Sequence, residues 1–203
     1  MRIGVDIDGV VSDSYPCWLQ ELNQYFGKDI KTITDYDMYK LFGVPRAAMN
    51  DFFVGNAERL LFMPDIVMGA KEGIETLVEE GHEIIYVTAR TPEEKDVTLR
   101  WLAKRGIPHE HVLFSGFNSK VSLVQEWDIE AFIEDYHVNA EQIAKIGVPV
   151  FLLTASYNQG CTGLPEAVTR CQSWQDVVEG IRRLKGIQEG SQVADKIDKI
   201  SCE

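Results

Sequence analysis

The stretch Val5-Asp6-Ile7-Asp8-Gly9-Val10 decides the fold. It continues the short apolar run Ile3–Val5, a predicted β-strand, and places two carboxylates at the strand exit before a glycine-containing turn. In an open parallel sheet, ligands bind beyond the carboxyl ends of the strands. Two adjacent carboxylates are costly to hold together without a cation, and a hard divalent cation meets that need. The alternative is that one Asp only caps the turn.

Further short, apolar and β-branched runs follow, and helical patterns separate them. The strand-like runs are Glu83–Val87, Val112–Phe114, Ala131–Ile133 and Val148–Leu153. The helix-like runs are Glu72–Glu80, Pro92–Arg105, Ser119–Glu126, Ala140–Ile146 and Trp174–Leu184. Strands that alternate with helices of this length predict an α/β fold. We expect a Rossmann-like core with a central parallel sheet of about five strands, flanked by helices on both faces.

One connection is much longer than a crossover needs. About 77 residues separate Ile3–Val5 from Glu83–Val87, and they contain helix-like segments rich in aromatic residues. We therefore predict a small helical insert at residues 15–68, within a core made of 1–14 and 69–187. The aromatic residues of the insert form a small core of their own or, in part, face a ligand. Residues 188–203 are weakly patterned, and we expect a frayed tail.

Composition restricts partners and compartment. The chain has 203 residues, and 20 Lys+Arg against 32 Asp+Glu give a formal net charge of −12, which predicts no nucleic-acid partner. We find no apolar run long enough to span a membrane and no signal peptide, so we expect a cytoplasmic protein. The four cysteines are scattered and are expected to be reduced. The sequence leaves a monomer and a homodimer equally open.

Polar residues follow three other predicted strands. Glu134 and Asp135 form a second acid pair, Thr88 and the amide of Ala89 offer a hydroxyl and an N–H, and Lys120 begins a predicted helix. A lysine at a helix start opposes the helix dipole, so its position indicates another benefit, such as neutralising carboxylates or a phosphoryl group. Taken singly, Thr88 could be ordinary strand filler and Lys120 a solvated surface residue.

Together these residues supply the parts that phosphoryl transfer through an aspartyl-phosphate requires. One carboxylate attacks phosphorus, and a second acid protonates the leaving oxygen and later activates water. A metal ion offsets the repulsion between nucleophile and phosphate, while a lysine and a hydroxyl hold the phosphoryl oxygens. The strand-end residues therefore predict a phosphate-handling site.

In this order, the residues resemble the four motifs of the haloacid dehalogenase (HAD) superfamily of phosphohydrolases over about residues 1–185. Asp6-Ile7-Asp8-Gly9-Val10 resembles the first motif, Thr88 the second, Lys120 the third and Glu134-Asp135 the fourth. The predicted insert looks like the superfamily's type 1 cap. Each motif is weak alone, but all four occur in order on matching elements.

The resemblance implies a role for each matching residue. Asp6 is the expected nucleophile and Asp8 the general acid and base. Mg²⁺ is the expected cofactor, held by Asp6, the backbone carbonyl of Asp8, and Asp135. Thr88, Ala89 and Lys120 are expected to bind the transferred phosphate. Glu134 is expected to orient the site without binding the metal.

Within the superfamily, the chain is similar to the 5'(3')-deoxyribonucleotidase group and related bacterial nucleotidases. The supporting features are Val10, the segment Ile33–Asp37, and Tyr157-Asn158 after the last predicted strand. Two stretches depart from the animal enzymes: Tyr136-His137 follows the acid pair where Arg is usual, and Thr88-Ala89-Arg90 replaces Thr-Ser.

The resemblance predicts a phosphatase whose substrate is a small phosphorylated metabolite, with a nucleoside monophosphate as the leading choice. A HAD phosphatase for a sugar phosphate or phosphoglycolate is the main alternative. A receiver-type phosphoacceptor module and a phosphate-binding protein without catalysis are the remote alternatives.

Overall fold

The structure is a computed structural model that describes residues 1–116 and 118–186. The tail predicted at 188–203 lies outside the described residues. The strands are β1 (Arg2–Val5), β2 (Glu83–Thr88), β3 (His111–Phe114), β4 (Ala131–Glu134), β5 (Val150–Leu153) and β6 (Val168–Cys171). The helices are α1 (Ser14–Phe26), α2 (Met38–Phe42), α3 (Arg46–Phe62), α4 (Ala70–Glu79), α5 (Lys95–Arg105), α6 (Val121–Glu126) and α7 (His137–Lys145), followed by α8 over 174–186.

All six strands form one parallel sheet in the order β3-β2-β1-β4-β5-β6. The predicted α/β class and parallel sheet are confirmed, with one strand more than the approximate number expected. The extra strand is β6, which lies at one edge beside β5. The chain moves from β1 outward to β3 and then returns to β4 on the other side of β1. In open parallel sheets, ligands bind at such a reversal, which here lies beyond the carboxyl ends of β1 and β4.

Alternate residues of each strand pack on opposite faces of the sheet. In β2, Ile84 and Tyr86 belong to one apolar cluster, together with residues of α4, α5 and α8. Ile85 and Val87 belong to the cluster on the other face, together with residues of α6 and α7. Both faces are therefore covered, which holds the strand ends rigidly in place.

A third apolar cluster lies among α1, α2 and α3, in the long connection between β1 and β2. Trp18, Phe42 and Phe52 are buried in it, and Val97 of α5 joins them. Several of the aromatic residues therefore do form a small core, whereas Tyr25 is 62% exposed. The division of the chain into a core and a cap at 15–68 stays a prediction.

The last described helix reaches the loop that follows β1. The indole Nε1 of Trp174 donates a hydrogen bond to the carbonyl of Val10 at 2.8 Å. Trp174 is 1% exposed and packs against Gly73 of α4, where a Cβ would lie 2.6 Å from the indole ring. The loop that carries Asp8 is thus tied to α8.

Two further observations concern membranes and thiols. Among the helices of residues 1–116 and 118–186, none combines the length and apolar character of a membrane span. Within the same residues, Cys17, Cys161 and Cys171 are free thiols.

Candidate active site

The ends of β1 and β4 bring three carboxylates together. Val5 pairs with Ile133 in register, and the amide of Asp6 donates to the Ile133 carbonyl at 3.0 Å. Asp6 therefore leaves β1 beside Glu134 and Asp135. Oxygen atoms of these three carboxylates lie within 4.8 Å of one another, and all three residues are buried.

Lys120 binds two members of this cluster. Its Nζ lies 2.7 Å from Asp6 Oδ2 and 2.9 Å from Glu134 Oε2, and the residue is 2% exposed. It immediately precedes α6, so its position at a helix start is as predicted. Burial alone would lower the pKa of the Lys120 amine, but attraction by Asp6 and Glu134 raises it above its usual value. Lys120 therefore stays charged.

The three carboxylates differ in proton affinity. Burial and repulsion by Glu134 raise the pKa of Asp6 well above its usual value, against the opposing effect of Lys120. Burial, Glu134 and Asp6 likewise raise the pKa of Asp135. Burial also opposes ionisation of Glu134, but Lys120 and hydrogen bonds hold its pKa below the usual value. The cluster thus has more negative charge than Lys120 can neutralise.

Asp135 has one oxygen with a partner and one without. The hydroxyl of Tyr157 donates to Oδ2, whereas Oδ1 is buried and has no hydrogen-bond partner. A buried carboxylate oxygen without a partner is costly unless a cation binds it. This oxygen, together with the other hard carboxylate oxygens, fits a site for Mg²⁺.

Gly9 makes the close approach of Asp135 to the β1 loop possible. A Cβ at this position would lie 2.1 Å from Asp135 Oδ2 and 2.7 Å from Cε2 of Tyr15. The φ angle of Gly9 is also positive, at 83°, which residues with a Cβ adopt at a cost. Both observations indicate that only glycine fits between these groups.

Asp8 is held apart from the three-carboxylate cluster. Its oxygens accept hydrogen bonds from Arg90 Nε and Nη2, each at 2.8 Å, and from Ser14 Oγ at 2.5 Å. Burial opposes its ionisation, but the attraction and hydrogen bonds of Arg90 hold the pKa of Asp8 below its usual value. The metal contact expected from its backbone carbonyl stays a prediction.

Thr88 and Ala89 lie at the same edge of the sheet, at the end of β2. The Thr88 hydroxyl accepts a hydrogen bond from the amide of Arg90 at 3.2 Å, and the residue is 1% exposed. The amide of Ser115 fixes the Thr88 carbonyl at 2.9 Å. Ala89 is exposed, so this part of the loop is accessible to a ligand. Their binding of phosphate stays a prediction.

Glu134 is held by several donors from its own loop and from Lys120. The amides of Asp135 and Tyr136 donate to Oε1 at 3.2 and 3.1 Å. Asn139 Nδ2 donates to Oε2 at 3.3 Å. The orienting role expected for Glu134 stays a prediction, and its carboxylate also lies in the cluster that could hold a metal.

Arg90 and Tyr157 are site residues to which the sequence analysis gave no role. Arg90 follows Thr88 by two residues, and its contact with Asp8 joins two separate strand ends. Tyr157 and Asn158 follow β5, and Asn158 Nδ2 donates to the Asp135 carbonyl at 2.6 Å. The position of Arg90 and Tyr157 within four residues of a strand end was the available signal, because the carboxyl ends of parallel strands meet at one edge of the sheet.

Aromatic side chains lie beside the carboxylates. Tyr36 stacks on Tyr136 with ring centroids 3.6 Å apart and an interplanar angle of 12°. Tyr15 lies 4.7 Å from Tyr157 between ring centroids. We call these four residues the tyrosine wall. Because Tyr15 and Tyr36 come from the connection between β1 and β2, that connection contributes to the surroundings of the site as well as to its own apolar cluster.

Comparison with known proteins agrees with this geometry. A nucleotidase of Clostridium acetobutylicum is 30% identical over 186 residues, covering 91% of this chain and 95% of that protein. A Bacillus subtilis protein that bears the provisional name of nucleotidase is 31% identical over 188 residues, with the same coverage of 91% and 95%. Both relatives match the chain over nearly their whole length.

The fold is shared with solved structures. A conserved haloacid dehalogenase-like protein of Agrobacterium tumefaciens superposes with a TM-score of 0.67 at 15% identity, covering 91% of this chain and 98% of that one. At the level of sequence families, residues 1–187 match the family described as 5' nucleotidase, deoxy (pyrimidine), cytosolic type C protein. The chain therefore belongs to this 5'-nucleotidase family, whose fold is that of the haloacid dehalogenase-like proteins.

Proposed function

We propose that this chain is a Mg²⁺-dependent phosphomonoester hydrolase that acts on (deoxy)nucleoside monophosphates through an aspartyl-phosphate on Asp6. The observation that carries the proposal is the buried cluster of Asp6, Glu134 and Asp135 around Lys120. Buried carboxylates this close together are costly, and a stable fold keeps them where their chemistry is needed. Family membership supports phosphate monoester hydrolysis as that chemistry.

The residues divide the reaction between them. A carboxylate oxygen of Asp6 attacks phosphorus, and the bond between phosphorus and the leaving oxygen breaks as Asp8 gives that oxygen a proton. Water then attacks the aspartyl-phosphate, Asp8 accepts a proton from it, and phosphate leaves as the Asp6 carboxylate is restored. Lys120, the Thr88 hydroxyl and the Ala89 amide hold the phosphoryl oxygens throughout.

Mg²⁺ suits the charge balance of this region. Three carboxylates, Asp6, Glu134 and Asp135, lie together with the single cation Lys120, which leaves two negative charges to be balanced by a divalent ion. Asp6, Asp135 and the Asp8 carbonyl would hold it. When bound, the metal offsets the repulsion between the phosphate and the attacking carboxylate.

A nucleoside monophosphate is the substrate class that the surroundings favour. Tyr15 and Tyr36 of the tyrosine wall come from the proposed cap at 15–68 and bring aromatic surface next to the carboxylates. Aromatic faces pack well on planar bases. The family's description supports a deoxyribonucleotide and the cytosol as the place of action.

The test measures phosphate release from p-nitrophenyl phosphate, deoxynucleoside and ribonucleoside monophosphates, sugar phosphates and phosphoglycolate. Turnover is expected to need Mg²⁺, to stop with EDTA and to return when Mg²⁺ is restored. Asp6→Asn should abolish it, whereas Asp128→Asn, an exposed substitution, should not. Undiminished turnover in Asp6→Asn would falsify the mechanism. A preference for sugar phosphates or phosphoglycolate would overturn the substrate class alone.

A further inference from the structure

Arg90 is a buried arginine, 4% exposed, that follows β2 at the carboxyl end of the sheet, and the proposed function gives it no role. Its Nε and Nη2 each lie 2.8 Å from a different oxygen of Asp8. This is the two-point contact that a planar guanidinium makes with a carboxylate, and it fixes both the position and the plane of the carboxyl group.

Arg90 is itself held in place from α5. Its remaining terminal nitrogen, Nη1, donates to Thr98 Oγ1 at 3.1 Å, and that hydroxyl donates to the carbonyl of Glu94 at 2.8 Å. The amide of Gly116 donates to the Arg90 carbonyl at 3.2 Å. The guanidinium therefore has little freedom to move, and its two hydrogen bonds restrict the Asp8 carboxylate in turn.

The contacts of Asp8 also distinguish its two oxygens. Oδ1 accepts from Arg90 Nη2 and from Ser14 Oγ, and Ser14 in turn is bonded to Ser12 Oγ at 2.7 Å. Oδ2 accepts from Arg90 Nε alone. A carboxylate oxygen has two lone pairs, so Oδ2 keeps one acceptor position available. The Asp8 side chain is 16% exposed, which gives that position access to water.

We propose that Arg90 is a positioning residue for the second half of the reaction, in which it holds Asp8 so that Oδ2 takes the proton from the attacking water. In that step the water oxygen bonds to phosphorus, the bond from phosphorus to the Asp6 oxygen breaks, and the water proton moves to Asp8. Asp6 leaves as a carboxylate together with inorganic phosphate. The inference rests on the proposed function, because it assumes an aspartyl-phosphate on Asp6.

Arg90→Lys is the informative variant, since it keeps the positive charge and removes the two-point contact. The probe is p-nitrophenyl phosphate, whose leaving group departs without help from an acid, so the first step depends little on Asp8. Rapid mixing with the Mg²⁺-loaded protein should show a burst of about one equivalent of p-nitrophenolate per active site. The steady-state rate that follows the burst should be about 10²-fold lower than that of the unaltered protein. Acid quenching of the same reaction should trap the phosphorylated protein.

Two other variants complete the design. Thr98→Val removes the hydrogen-bond acceptor of Arg90 Nη1. It should also give a burst, smaller than that of Arg90→Lys. Arg105→Lys is the control, because this half-buried arginine bonds the carbonyls of Met63 and Pro64 and forms no hydrogen bond with Asp8 or Arg90. It should behave as the unaltered protein. Thermal unfolding of each variant identifies misfolding, and if Arg90→Lys does not fold, Thr98→Val carries the test.

The outcomes are distinct. A burst with trapped phosphoprotein supports the positioning role. Equal slowing of the first turnover and the steady state, without a burst, would show that Arg90 serves packing alone and would overturn the inference. Unchanged kinetics in both Arg90→Lys and Thr98→Val would overturn it as well. Failure of the proposed function looks different, because Asp6→Asn would then keep its turnover.

Discussion

The two ends of the sheet differ in whether their ion pairs are buried or exposed. At the carboxyl end, Lys120 is 2% exposed and binds buried carboxylates. At the amino end, Arg2 pairs with Glu83 at 3.1 Å, and their side chains are 45% and 42% exposed. An exposed pair contributes little to stability and can be lost cheaply. A buried pair is costly to form and much more costly to break.

The comparison teaches where this fold accepts an energetic cost. The same six parallel strands supply both ends, so the strands alone do not explain the difference. Within residues 1–116 and 118–186, the buried Asp, Glu, Lys and Arg residues all lie at the carboxyl end; they are Asp6, Arg90, Lys120, Glu134 and Asp135. The predictions below compare a change at the carboxyl end with a matched change elsewhere.

The largest effect is expected from Lys120→Met. Removing the amine leaves Asp6 and Glu134 buried without their cation, and it removes a group that binds phosphate in the proposed mechanism. We expect phosphatase activity to fall by about 10³-fold and the free energy of unfolding to fall by about 3–5 kcal/mol. The matched change, Arg2→Met, should keep activity and cost about 1 kcal/mol or less. Urea unfolding and p-nitrophenyl phosphate turnover measure both, and equal losses at the two ends would refute the comparison.

The next effect separates backbone strain from lack of space. Gly9 and Gly81 both have a φ angle of 83°, but a Cβ at Gly81 would have no atom within 4 Å. Gly81→Ala should therefore show only the cost of the left-handed conformation, roughly 1–2 kcal/mol. Gly9→Ala should cost more and should also weaken Mg²⁺ binding, because its Cβ would displace Asp135. Calorimetric titration measures the Mg²⁺ affinity of each variant, and urea unfolding measures its free energy of unfolding. Equal Mg²⁺ affinity in both variants would contradict the prediction.

A smaller effect is expected at Tyr157. Its hydroxyl occupies Asp135 Oδ2 and leaves Oδ1 for the metal, so Tyr157→Phe should lower Mg²⁺ affinity by about 10–100-fold. Tyr86→Phe is the matched control, since Tyr86 is also buried and donates to the Pro108 carbonyl at 2.8 Å. Isothermal titration with Mg²⁺ should show normal affinity for this control. Unchanged affinity in Tyr157→Phe would exclude the orienting role.

The smallest effect concerns stability at the amino end. His82 is 6% exposed, and both of its ring nitrogens lack partners. Burial, the N-terminal amine and Lys185 lower the pKa of His82 below its ordinary value. The unfolded chain therefore takes up the proton first as the pH falls below about 6.5, and stability declines until the folded-state pKa is passed.

His82→Leu should flatten the dependence of the melting temperature on pH below about 6.5. His109→Leu provides a control in which a different histidine is lost. Phosphatase activity should be unchanged in both variants, since His82 lies at the end of the sheet opposite the carboxylates. An unaltered pH dependence in His82→Leu would contradict the assignment of this effect to His82.

Sequence patterns predicted five of the six strands, including the edge strand β3, and missed the other edge strand, β6. β1, β2, β4 and β5 are short apolar runs because both faces of the sheet are covered. In β6, Val168–Cys171, Cys171 is buried, Val168 and Arg170 are half-buried and Thr169 is exposed. A short edge strand with polar residues has no distinctive pattern, and only its pairing with β5 identifies it.

The candidate site shows a similar limit. Asp6, Glu134, Asp135 and Lys120 could be grouped from the sequence, because each follows or precedes a recognisable element and parallel strands end at one edge. The contact of Arg90 with Asp8 could not, since it depends on the angle at which two loops leave neighbouring strands. Likewise, a tyrosine after β5 does not reveal from sequence that its hydroxyl reaches Asp135.

The hydrogen bond from Trp174 to Val10 bears on folding during synthesis. The loop after β1 is synthesised before α8, yet Trp174, one of the residues that hold this loop, belongs to α8. Proteins emerge from the ribosome from the N-terminus onward. A ribosome-bound chain that ends before residue 174 therefore lacks one of the hydrogen bonds that hold the loop with Asp8.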